Sequence, residues 1–225
     1  MRAVDRPEYR IAAAVGALAA TLGLVLSGLF LAVVGEGPVG ELEPFTELTV
    51  DGVGPVTAAT WTWFDAMGVE PTVEFTSDGT GVTVVRGVFD VMDGNGDWYA
   101  EMSWVVPIAL LTVAGAVADG AVRRFASDDR GRIDVHVGAL IALGYTPVML
   151  AALWLATVPV APNATGTVEI GSTTVQASTI EGVTAGPSVP YAVLAAVVYP
   201  LVFGLVGGVL WNEIERSRRA RRTGS

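Results

Sequence analysis

Four stretches of the 225-residue chain carry almost nothing charged. Ile11 to Val34 and Tyr191 to Trp211 hold no ionised side chain at all. Trp104 to Val122 contains one acid, Asp119, near its end, and Val135 to Val160 contains only His136, at its start. A hydrocarbon core of about 30 Å takes roughly 20 helical residues, and all four runs reach that length. The pattern predicts a mainly α membrane protein built as a four-transmembrane-helix bundle. The organisation read from it is a tail over 1–10, spans over 11–34, 104–122, 135–160 and 191–211, two long connections over 35–103 and 161–190, a short loop over 123–134, and a tail over 212–225.

The first span also has the arginine-containing leader of a secretory signal. Its apolar run is too long for a signal core, and no small-residue cleavage site follows at Val33 to Glu36, so an uncleaved anchor is expected.

Between the spans the pattern changes from unbroken apolar runs to alternation. Thr72 to Thr76 and Val82 to Val91, around a turn at Ser77, Asp78 and Gly79, read as a β-hairpin. Thr167 to Ile170 and Thr173 to Ala177, around Gly171 and Ser172, read as a second. A lone hairpin is marginal in water, whereas two together make a small sheet, so the expectation is a β-rich cap formed jointly by both long connections. Ala59 to Met67 gives one or two helical turns. Its aromatics, Trp61, Trp63 and Phe64, are candidates for an interaction surface.

Charge supplies the orientation. Charged residues make up 16% of the chain, against about 25% in an average soluble domain. All 13 basic residues are arginine, and 12 of them fall in the two tails and the 123–134 loop. The positive-inside rule places those three segments in the cytoplasm, which makes 35–103 and 161–190 external. The external segments hold 15 acids and one arginine, Arg86, for a net charge of -14. Trp98, Tyr99, Trp104, Tyr191 and Trp211 sit near span ends, as interfacial aromatics do. The location expected is the cell membrane, with four spans and both termini cytoplasmic.

An acidic, lysine-free surface holds hydrated cations well, and molar salt screens its self-repulsion over about 3 Å. With its four-span layout, its aromatic cluster Trp61, Trp63, Phe64, Asp65 and Ala66 in a large first external segment, and its arginine-rich tail, the chain resembles the uncharacterised four-span membrane proteins of halophilic archaea. That resemblance implies no established activity.

Candidate chemistry is sparse. Cysteine is absent and histidine occurs once, which removes disulfides, thiolate metal sites and cysteine nucleophiles. Asp90, Asp93, Asn95, Asp97 and Glu101 space oxygen ligands along a glycine-loosened segment, a candidate for Ca2+. Trp98 and Trp104 stand where an EF-hand needs its glycine and bidentate glutamate, so an acidic turn is the plainer reading. Asn163 heads an Asn-Ala-Thr glycosylation acceptor on the external side. Asp119 is the one acid at span depth; with His136 it is a candidate proton or ion relay, and with Arg123 four residues on it is an ordinary helical ion pair that can snorkel. Pro107, Pro147 and Pro200 lie within spans, and Gly16, Ala20, Gly23, Ser27, Gly204 and Gly208 form small-xxx-small pairs suited to close helix packing or to an oligomer contact.

No catalytic constellation or phosphate loop is present in this set, and no enzyme activity or cofactor is expected. Nor is nucleic acid expected as a partner. The partners expected are the bilayer, anionic lipid headgroups at the Arg216 to Arg222 tail, and a membrane or envelope protein. The leading function is a non-enzymatic interaction or structural protein of the cell envelope, working through its acidic external cap; the alternative is a small ion or solute transporter or channel subunit.

Overall fold

A computed structural model describes residues 7–34, 48–49, 54–77, 81–86, 103–125, 135–159, 161–162, 167–170, 173–176 and 180–223. Its helices are α1 (Pro7–Val34), α2 (Pro55–Asp65), α3 (Val105–Phe125), α4 (Ala142–Ala156), entered through a 3₁₀ segment (Val135–Ile141), and α5 (Val189–Thr223). Four of these stretches are long and apolar enough to cross a membrane: Pro7–Val33, Val105–Phe125, Val137–Ala156 and Val189–Arg222. The strands are β1 (Leu48–Thr49), β2 (Pro71–Ser77), β3 (Gly81–Arg86), β4 (Val158–Pro159), β5 (Ala161–Pro162), β6 (Thr167–Ile170), β7 (Thr173–Gln176) and β8 (Ile180–Pro187). The chain divides into two compact units, one of Met1–Gly23, Val105–Leu150 and Val193–Ser225, the other of Leu24–Trp104 and Ala151–Ala192.

The first unit packs helix backbones against each other. A Cβ on Gly144 would meet the Ala13 carbonyl oxygen at 1.7 Å, and one on Gly207 would meet that of Thr112 at 1.9 Å. The same holds for Gly138 against Gly204, at 2.1 Å. So α1 lies on α4, α3 lies on α5, and the 3₁₀ segment lies on α5, each at a distance only glycine permits. Small residues such as Ala12, Ala114, Ala118 and Ala196 are buried here beside Leu111, Ile141, Tyr145 and Met149, whereas Leu18, Val113, Val117 and Leu194 are more than half exposed. Small residues at the helix contacts and large apolar ones left exposed is the arrangement of helices that meet lipid, where apolar burial gives no preference for the interior.

Proline shapes α5 and is answered by a neighbour. Pro200 has no N–H to give the carbonyl four residues back, that of Ala196. Thr146 of α4 donates its hydroxyl to that oxygen at 2.8 Å. In a hydrocarbon setting a carbonyl without a partner costs several kcal/mol, so the pairing of a proline with a threonine on the adjacent helix follows from solvent physics.

The second unit holds the strands. A four-stranded antiparallel sheet runs β3-β2-β8-β4, and β1-β5 and β6-β7 form two-stranded pairs. In the sheet, β2 pairs with β8 from Pro71↔Pro187 to Ser77↔Ile180, with a register shift between Glu74 and Thr76. The helix α2 packs on β2 and β8. Pro55 opens it at a position where no N–H is needed. Gly68, at φ 75, ends the turn that follows it, while the Val69 N–H returns to the Phe64 carbonyl at 2.9 Å.

Several elements differ from the sequence expectation. The helical turns expected at 59–67 are an 11-residue helix beginning at Pro55. The second strand of the first hairpin is described only over Gly81–Arg86. The two expected hairpins, β2-β3 and β6-β7, do not pair with each other; the first pairs instead with β8, whose Gly182, Gly186 and Pro187 break the alternation that marks a strand. The third span begins as 3₁₀ helix, and the fourth continues as helix to Thr223, through most of what reads as a tail.

Candidate functional site

The intramembrane acid lies between α3 and α5. Asp119 is 0% exposed, so its short side chain does not snorkel to the surface. Arg123, one turn on, donates from Nε to Asp119 Oδ2 at 2.7 Å. Its Nη2 donates to Asn212 Oδ1 on α5, and Asn212 Nδ2 donates in turn to the Gly208 carbonyl at 3.0 Å. Beside this chain the Trp211 indole occupies the space over Gly120, where a Cβ would meet its ring atoms at 3.0 Å. Asp119 Oδ1 and Trp211 Nε1 are buried without a hydrogen-bond partner.

Chemically, this is a neutral clamp. The guanidinium balances the carboxylate and at the same time ties α3 to α5 through Asn212. Neither Trp211 nor Asn212 was expected at the site: both sit at the edge of an apolar run, and only the fold brings them to Asp119. His136 falls in the 3₁₀ segment, and its side chain lies outside the described residues, so the relay pair expected with Asp119 has only one described member.

The aromatic cluster is interior. Trp61, Trp63 and Phe64 are 1%, 1% and 0% exposed, which corrects their reading as an interaction surface. Large aromatics bury more area than any other side chain, and here they join Met67, Val69, Leu153 and Val158 among the buried residues of the second unit. Trp61 has a second role: its Nε1 donates to the Ala156 carbonyl at 2.7 Å, satisfying one of the acceptors that the C-terminus of α4 leaves open.

Near the turn after α2 a cleft of about 270 Å³ is lined by Gly68, Val69, Glu70, Thr72, Ser188 and Tyr191. Thr72 is turned away from it in part, its hydroxyl donating to the Gly186 carbonyl at 3.2 Å. Among the described residues no group of three or more His, Asp or Glu side chains is placed to hold a metal ion. Asp90, Asp93, Asn95, Asp97 and Glu101, the candidate Ca2+ ligands, and Asn163, the candidate glycosylation site, lie outside the described residues.

Comparison with known proteins adds a family. The chain belongs to the Family of unknown function (DUF7978), which it matches over residues 2–213. No curated protein and no solved structure matches it.

Proposed function

We propose that this family member is a multi-pass protein of the cell membrane that works, without catalysing a reaction, as an interaction or structural protein of the envelope, through an acidic external cap. The observation that carries the reading is the pairing of β2 with β8, because it joins strands from both long connections into one sheet. Segments that only linked spans would have no reason to share a hydrogen-bonded register from Pro71↔Pro187 to Ser77↔Ile180, so far apart in sequence. The net charge of -14 over the same segments suits a surface that attracts cationic groups or hydrated cations. The orientation proposed has both termini cytoplasmic, with the arginine-rich segments inside.

The Asp119 clamp supports this reading over transport. A relay acid must exchange its partner during each cycle, whereas Asp119 is matched by a guanidinium that also holds the next helix. Purification from native membranes followed by mass spectrometry tests the choice. Replacing Glu70, Glu74 and Glu181 by Gln keeps their shapes and removes three external charges. The variant is expected to lose most of the proteins that co-purify with the wild type, and Asp119→Asn is expected to keep them. An ion or solute flux in proteoliposomes that Asp119→Asn abolishes and the glutamine variant leaves intact would overturn the proposal in favour of transport.

A further inference from the structure

The end of α5 carries a feature that the external cap does not use. A helix of 35 residues is about 52 Å long, well beyond the roughly 30 Å of a hydrocarbon core. The uncharged run ends at Trp211, so the helix continues for about another 18 Å into the headgroup region and beyond. Over this stretch Leu210, Glu213, Ile214, Ser217, Arg218 and Arg221 line a groove of about 350 Å³.

The charges in the groove are not equivalent. Glu213 is bound to Arg216 at 2.8 Å, and on the neighbouring face Glu215 is bound to Arg219. Both acids of the stretch are therefore matched within the helix. Among the described residues Arg218 and Arg221 have no ion-pair partner. They stand three residues apart, so they project from one face, with Ser217 beside them. About one to three turns back on the same side Val206, Leu210 and Ile214 are 42%, 50% and 48% exposed. An apolar strip thus leads directly to two unmatched guanidiniums.

We propose that this groove is a binding site for an anionic phospholipid, with its phosphate held by Arg218 and Arg221 and its acyl chain laid along Val206, Leu210 and Ile214. Helical side chains tilt toward the helix N-terminus, which for α5 is the direction of the span. The two guanidiniums therefore lean back toward phosphate depth while their methylene stems cover apolar surface. The arginine fork matches phosphate oxygens in a way that a single ammonium does not. A zwitterionic phospholipid offers the same phosphate but sets its own ammonium beside the two guanidiniums, so the site selects for a headgroup with net negative charge.

The test uses the full-length chain in nanodiscs of phosphatidylglycerol mixed with phosphatidylcholine, released into detergent and read by native mass spectrometry. Retained phosphatidylglycerol should exceed its share of the mixture. Arg218→Gln and Arg221→Gln should each lower its retention about fivefold, which is the effect of about 1 kcal/mol per basic residue at an anionic surface. Arg216→Gln, at a residue already paired with Glu213, should lower it less. All three residues are exposed, so the variants should keep the helical circular dichroism of the wild type. Retention in proportion to the mixture, or retention unchanged by the Arg218 and Arg221 substitutions, overturns the proposal. So does displacement of the lipid by inorganic phosphate alone, or by a short single-stranded RNA, since either would identify the groove as a site for a different ligand.

Discussion

At the scale of single residues, what matters most is which polar atoms the fold leaves without water. Asp119 is fully buried, whereas Arg123 keeps about a quarter of its side chain exposed. The two therefore fail differently. Arg123→Gln leaves a carboxylate buried with no counter-charge and should cost about 3–5 kcal/mol. Asp119→Asn leaves a guanidinium that still has Asn212 and some water, and should cost about 1 kcal/mol, the loss of one hydrogen bond. Combining the two should recover most of the Arg123→Gln loss, and thermal unfolding in detergent would show whether it does; equal losses from the two single changes would contradict the clamp. A second residue-scale prediction concerns Trp61. Trp61→Phe retains an aromatic ring in the core but removes the indole N–H that reaches the Ala156 carbonyl, and should lower stability by about 2–4 kcal/mol, with contributions from the lost hydrogen bond and the lost ring volume. The sequence spacing made the Asp119 to Arg123 pair legible, because it lies within one helical turn. Asn212 and Ala156 were not legible as partners, since nothing local to Arg123 or Trp61 encodes a contact some 90 residues away.

At the scale of elements, the spans were legible because bilayer thickness imposes a length and a composition that few other settings require. Their ends were less so. The α5 helix runs on to Thr223 because arginine and glutamate are good helix formers and pair at i+3 and i+4, a local preference that an apolar count does not register. The β8 strand is not legible in its own residues, because pairing with β2, and not its own alternation, makes it a strand. Helix contacts yield a sharper prediction. Gly144 of α4 has the Ala13 carbonyl where its Cβ would be, so Gly144→Val forces α1 and α4 apart and should cost at least about 3 kcal/mol, the upper end of what overpacking costs. Gly54 is the internal control. It caps α2 with no side-chain hydrogen bond and nothing lies within 4 Å of its Cβ position, so Gly54→Ser should be neutral or stabilising by a few tenths of a kcal/mol. Unfolding of the two variants in the same detergent compares them directly. A tolerated valine at 144 would mean that α1 and α4 do not meet backbone to backbone.

At the scale of the whole molecule, the arginines make a claim that packing does not. Twelve of 13 lie in the termini and the 123–134 loop, while 15 of the 23 acids lie in 35–103 and 161–190. The positive-inside rule turns that asymmetry into an orientation, and it is the arginines, more than the acids, that set it. The absence of cysteine makes the prediction simple to test, since any cysteine introduced is the only one in the chain. Ser77→Cys and Ser172→Cys should react with a membrane-impermeant thiol reagent on intact cells. Ser127→Cys should react only after the membrane is opened. Each substitution replaces one small side chain by another, so insertion should be undisturbed, and labelling of all three after permeabilisation confirms that each thiol is reachable at all. If Ser127→Cys reacts on intact cells and Ser77→Cys does not, the orientation is reversed. In that case the acidic segments face the cytoplasm, where an envelope partner could not meet them, and the proposed working surface is lost with the topology. If the labelling follows the arginines, then one asymmetry of charge has determined both the direction of insertion and the side on which the β2-β8 sheet is presented.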